Sequence, residues 1–166
     1  TDEDFAKSWY AWASKYDQAL AERFDLDAML MLAPAVKTRC KTLADGRSVV
    51  GFALIADDEI EYDGKAVHKA LIKGDKKGLE LLIGFRNAIE SLTDFSPAPI
   101  EALVKEYAES QEVGMGKLAQ PLRVAVTGAA VSPPLGQTLA ILGKASVIAR
   151  IDRCRDVVEA QASAAG

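Results

Sequence analysis

Phe5, Trp9, Trp12, Tyr16 and Leu20 stand at steps of four, three, four and four residues, so five large apolar side chains line one face of a helix of about five turns. Such a stripe needs a partner to cover it. It reads as core rather than as a stacking platform for bases, because single-strand platforms interleave aromatics with basic residues. Thr1 with Asp4 supplies a capping pair at the start of this helix, and Thr42 with Asp45 repeats the spacing further on. Helical periodicity then continues almost to the end of the chain, which predicts an all-α fold.

Asp25 or Asp27 opens a short helix that Pro34 should interrupt or restart, since proline removes a donor and crowds the preceding turn. The acidic, turn-rich run IADDEIEYDG suggests a boundary and hinge near residues 56 to 63, giving two packed helical subdomains, 1–58 and 59–166. Beyond it come a short helix with Val67, Leu71 and Ile72, and a longer one from Leu79 to Leu92. Ser96 followed by Pro97 is an N-cap with proline at the first helical position, leading into Ile100, Leu103, Val104 and Tyr107. The later elements are PLRVAV after Pro121, PLGQTLAIL after Ser132 and VIARIDRCRDVVEAQA after Ser146, with Gly128 and Gly143 at helix C-caps. By periodicity alone RVAV fits a buried strand too, but no second strand-like run exists to pair with it. The tail QASAAG is expected to be disordered.

Composition narrows the chemistry. No run approaches the roughly 18 apolar residues of a membrane helix, and the start Thr-Asp-Glu has neither Met nor a secretory pattern, so a soluble, cytoplasmic and trimmed chain is expected. Cys40 and Cys154 lack CxxC spacing and read as reduced thiols, while the single His68 reads as a surface residue with no partner for a metal. There is no GxSxG elbow, no GxGxxG and no P-loop. The net charge of −4 is unevenly spread: residues 117–155 hold Lys117, Arg123, Lys144, Arg150, Arg153 and Arg155 against Asp152 alone. That segment is a candidate anion-binding face, unless its cations merely decorate the last helices.

The stretch MGKLAQPLRVAVTGAAVSPPLGQTLAILGKASVIARIDR, residues 115–153, resembles the C-terminal end of bacterial-type glutamyl-tRNA synthetases. Gly-Lys, Gln-Pro-Leu-Arg, Thr-Gly, Ser-Pro-x-Leu, Leu-Gly-Lys and Arg-Ile occur in the family's order and spacing. VKTRCKTLAD and FSPAPIEALVKEYAES extend the likeness upstream. The resemblance implies the helical anticodon-binding fold of class I synthetases and an anticodon stem-loop of glutamate tRNA as ligand. It carries over Arg123, Ser132, Pro133 and Leu135 as residues of the helix and loop that meet anticodon bases. Pro134 departs from the small residue usual at that position and stiffens the turn. Arg39, flanked by Lys37 and Lys41, aligns with an arginine that, in synthetases accepting only the glutamate tRNA, is associated with reading the third anticodon base.

Recognition of single-stranded RNA suits this stretch on physical grounds as well, since bases splayed from a loop are read by hydrogen bonds and packing at their edges. A Ser-Pro-Pro-Leu turn at a helix start offers a hydroxyl, exposed backbone and a rigid apolar surface, and Arg123 a forked donor. Ser132 is at the same time an ordinary N-cap with Pro133 at the first helical position. The HIGH-type and KMSKS-type sequences of the family's ATP site are absent from the chain. It is therefore expected to have no catalytic centre and no cofactor of its own, with ATP and magnesium belonging to the parent enzyme, and to act as a monomeric module joined to that enzyme's catalytic domain. A synthetase-derived adaptor for protein–protein contacts is the alternative. Duplex DNA is a poor fit for an acidic chain without a basic recognition helix.

Overall fold

The computed structural model describes residues 1–165, and of 162, 164 and 165 only the backbone. The fold is all-α, with no strand among the described residues, and RVAV is helical. The chain forms two compact units, Thr1–Ile55 and Ala56–Gly166.

In the first unit, α1 (Asp2–Tyr16) opens on the expected capping box, with Asp4 N donating to Thr1 Oγ1 at 3.1 Å and the Thr1 hydroxyl donating back to Asp4 at 2.7 Å. The helix ends sooner than the aromatic stripe suggests. Asp17 leaves helical geometry, and its carboxylate accepts from Leu20 N to start α2 (Gln18–Arg23). Trp9 and Leu20 are fully buried, but Phe5 and Trp12 are half-buried and Tyr16 is 64% exposed. The centre of the buried face is instead Ala6, Trp9 and Ala13, because small residues allow the close approach of α3 (Leu26–Lys37). Asp25 caps α3, accepting from Ala28 N at 2.8 Å. Contrary to expectation, α3 runs straight through Pro34. The carbonyl deprived of a donor belongs to Leu30, a residue 41% exposed, so the lost bond falls on the solvent side of the helix. A 3-10 turn Leu43–Asp45, capped by Thr42, leads into α4 (Gly46–Val50) and a second such turn, Gly51–Leu54, whose Ala53 carbonyl accepts from Arg23 Nε at 3.1 Å.

The second unit begins with the acidic stretch, which is strapped onto the helices of that unit. Asp57 pairs with Arg150 at 2.7 Å and accepts from Ser146 at 3.0 Å. Ile60 is buried and its carbonyl accepts from Arg153, while Asp63 N donates to Gly128 O at 2.9 Å. Asp63 then caps α5 (Gly64–Val67), which continues as a π-helical turn, His68–Ile72. The remaining helices are α6 (Lys77–Glu90), α7 (Pro97–Ser110), α8 (Met115–Thr127), α9 (Leu135–Leu142) and α10 (Lys144–Ala165). Phe85, Ile100, Val104, Leu122, Leu139 and Ile151 meet in their shared core.

Three expectations change here. The element placed after Pro121 starts at Met115, since proline inside α8 costs only one backbone bond while Leu118, Leu122 and Ala125 are held in the core. The final helix begins at Lys144, directly after Gly143. The tail expected to be disordered is helical through Ala165, as alanine-rich sequence has the highest helix propensity; Gly166 lies outside the described residues.

Candidate nucleic-acid interface

The loop between α8 and α9 is organised by side chains. Its two prolines have no N–H, so the turn has few backbone donors with which to hold itself. Arg123 Nε donates to Ser132 Oγ at 2.8 Å. The Ser132 hydroxyl donates to Pro133 O at 2.7 Å, and the Thr138 hydroxyl donates to the same carbonyl at 2.9 Å. At the other end, Thr127 Oγ1 donates to Arg123 O at 2.7 Å and accepts from Ala129 N at 3.2 Å.

Ser132 is not the N-cap the sequence suggests. Pro134 precedes the first helical residue, Leu135, and its backbone is non-helical at φ −47°, ψ 140°. The reason is the double proline: a residue before proline is driven out of helical geometry, so Pro133 cannot begin a helix. Ser132 is thereby released from capping and bonded to Arg123.

Arg123 and Ser132 are half-buried, whereas Pro133 and Leu135 are buried. The last two anchor the turn from within, and the apolar surface it presents outward is Pro134 with Val131, the latter 78% exposed. The start of α9 is pressed onto α7: a Cβ at Gly136 would lie 2.7 Å from Pro97 O.

A cleft of about 540 Å³ opens beside this loop, lined by Ala66, Lys69, Lys117, Gln120, Pro121 and Ala130 among others. Lys69, Lys117 and Gln120 are exposed, and neither lysine makes an ion pair among the described residues. Lys117 stands in the Gly-Lys pair visible in the sequence. Lys69 and Gln120 carried no such signal, because only the packing of α5 and its π-helical extension against α8 brings Lys69 to this edge.

Most of the basic segment is not an anion-binding face. Lys144 Nζ donates to Glu90 O at 2.7 Å and Leu92 O at 3.0 Å, neutralising the end of α6. Arg150 is 1% exposed, paired with Asp57 and donating to Val126 O at 2.8 Å. Arg153 donates to Ile60 O, and Arg155 pairs with Asp156 at 3.1 Å. Lys144, Arg150 and Arg153 brace the second unit, Arg155 is paired along its own helix, and the two cations of the segment that border the loop and cleft are Arg123 and Lys117.

Arg39 lies in the first unit, just beyond the end of α3, and is exposed. Its backbone N donates to Val36 O at 2.9 Å and its Nη1 to Ala35 O at 2.8 Å, so the guanidinium caps its own helix. Lys37 is paired with Asp2 at 2.7 Å.

His68 is exposed. Burial pushes the Cys154 thiol up to about 12 and also raises Cys40, which is half-buried. Burial likewise raises Tyr62, whose hydroxyl sits 3.1 Å from Ala125 O. No group of three metal-ligating side chains occurs among the described residues, and no helix there is long and apolar enough to cross a membrane.

Comparison with known proteins agrees with this architecture. The chain is 38% identical over 125 residues to glutamate–tRNA ligase 1 of Methylobacterium radiotolerans, covering 75% of this chain and 25% of the relative. It is 34% identical over 154 residues to the glutamate–tRNA ligase of Corynebacterium jeikeium, covering 92% and 30%. The crystal structure of a glutamate tRNA ligase from Elizabethkingia meningosepticum superposes with a TM-score of 0.76 at 25% identity, over 93% of this chain and 31% of that one. The chain thus spans about a quarter to a third of the length of the relatives it matches. Residues 4–155 match the model of the anticodon binding domain, and the chain belongs to that family.

Proposed function

We propose that this chain binds the anticodon stem-loop of glutamate tRNA as the C-terminal part of a glutamyl-tRNA synthetase. In that role it positions the tRNA for a catalytic domain elsewhere in the same polypeptide. The observation that carries the reading is the α8–α9 turn. Arg123 and Ser132 are hydrogen-bonded to each other in the matched motif, next to an outward-facing apolar surface and a cleft with two unpaired lysines. Unstacked bases need this combination: a donor fork at the edge, a rigid surface to pack on, and cations for the backbone phosphates.

Arg123 and Ser132 contact anticodon bases, Pro133 and Leu135 shape the turn from beneath, and Arg39 reads the third anticodon base from the first unit. ATP and magnesium serve the catalytic domain, and this part of the enzyme requires no cofactor. The enzyme works in the cytoplasm as a monomer, and duplex DNA is not a ligand.

A gel shift with glutamate tRNA and duplex DNA, using wild type and Arg123→Ala, tests the reading. Wild type should retain the tRNA only, and the substitution should cost on the order of 1–3 kcal/mol of binding, the range for a charged base-edge contact. Unchanged affinity with an unchanged melting curve would remove Arg123 from the interface.

A further inference from the structure

We infer that Thr138 is a positioning residue whose buried hydroxyl sets the Ser132–Pro133 turn, and that selectivity for the bases met by this turn depends on it. The inference rests on the anticodon-binding reading above.

Thr138 is 0% exposed. A buried hydroxyl must be paired, and a threonine inside a helix usually bonds back to the carbonyl four residues earlier. Here that carbonyl, Pro134 O, accepts Thr138 N at 2.9 Å, as in any helix, and not the hydroxyl. The hydroxyl reaches one residue further, out of the helix, to Pro133 O at 2.9 Å, and lies 3.3 Å from Ser132 Oγ.

The turn needs such a side chain. Neither Pro133 nor Pro134 has an N–H to donate, so its conformation is held by the hydroxyls of Ser132 and Thr138, which both donate to Pro133 O. Ser132, with its proton committed there, turns its lone pairs toward Arg123 Nε. The chain of contacts runs Thr138, Pro133 carbonyl, Ser132, Arg123. Thr138 touches no ligand itself; it fixes the direction in which the Arg123 guanidinium is held. Its helix is kept in place independently, by the close approach of Gly136 to Pro97 O and by buried Leu139 and Leu142.

The experiment measures binding of the chain to the glutamate anticodon stem-loop and to versions with one anticodon base replaced, for wild type, Thr138→Val and Thr138→Ser, with melting curves alongside. Valine keeps the shape and removes the donor. It should weaken binding to the cognate loop about tenfold and flatten selectivity at the bases met by the turn. Discrimination at the third base, assigned to Arg39, should persist. Serine restores the hydroxyl and should stay within about twofold of wild type. A merely structural role would lower the melting temperature and leave the selectivity ratios unchanged, and that result overturns the inference, as does serine behaving like valine. Should the valine variant fail to fold, Thr138→Cys retains a weak donor: partial loss of selectivity supports the assignment and wild-type selectivity overturns it. Failure of wild type to bind the loop at all defeats the anticodon reading itself, whereas wild-type binding with unaltered ratios in the variant defeats Thr138 alone.

Discussion

Arg39 commits one Nη1 hydrogen to Ala35 O, while its Nε and Nη2 hydrogens make no hydrogen bond among the described residues. A guanidinium tethered at one corner loses part of its rotamer freedom before any ligand arrives, which reduces what binding must spend on ordering it. On the proposed reading it faces the O2 and N3 acceptors of cytosine at the third anticodon position, where guanine would present the N1 and N2 donors. Arg39→Gln should relax that preference, because an amide both donates and accepts. Binding to two stem-loops differing only in C or G at this position measures it; equal binding of both by wild type would reduce Arg39 to a phosphate contact. Asp17 works at the same scale but for stability. The Arg47 guanidinium hydrogen-bonded to it holds its carboxyl below the usual range, and Leu20 N adds to the effect. A depressed carboxylate contributes stability above its unfolded value of about 4 and loses it as pH falls through the folded value. Trp9 and Trp12, the two tryptophans of the chain, both lie in this unit, so fluorescence follows it selectively. Asp17→Asn should lower its stability at pH 7, and the difference from wild type should shrink below about pH 4; an equal difference at pH 3 and pH 7 would exclude the linkage.

Among the elements, α8 depends most on how it ends. Gly128 sits at φ 82°, and a Cβ there would lie 2.1 Å from Glu61 O. This one glycine stops α8, frees the loop to turn toward Ser132, and lets the acidic strap dock through Asp63 N on Gly128 O. Gly128→Ala incurs the left-handed penalty of about 1–2 kcal/mol together with the clash. Thermal unfolding should show a loss of at least that size, and a shift below about 0.5 kcal/mol would mean the strap yields freely. Helix ends such as this one were legible in the chain: Thr1, Asp25, Thr42, Gly128 and Gly143 act at or beside the ends where their chemistry puts them. Helix lengths were less so, because Pro34 and Pro121 break helices in isolation, whereas packing along α3 and α8 outweighs one lost bond each.

For the whole molecule, the chain covers about a quarter to a third of the ligases it resembles, and on the proposed reading ATP chemistry belongs to the rest. Alone it should therefore catalyse no glutamate-dependent exchange of pyrophosphate into ATP, and exchange by a homogeneous preparation would contradict the assignment. The helical class and the ordered motif from Gly116–Lys117 to the Arg150–Ile151 pair can be read from residue order, since periodicity, caps and short motifs are local properties of a chain. The fate of each charge and each apolar side chain cannot. Lys144, Arg150 and Arg153 look like an anion-binding face in sequence and become braces, because their partners at Glu90, Asp57 and Ile60 lie far away along the chain. Tyr16 looks like core and is exposed, and that Leu135 lies beneath the turn is visible only in the fold. Lys69 reaches the cleft beside Lys117 only once the π-helical turn after α5 packs on α8. Burial and pairing are properties of surfaces brought together from distant segments, so a helix can be written in adjacent residues while the face it shows to a ligand is not.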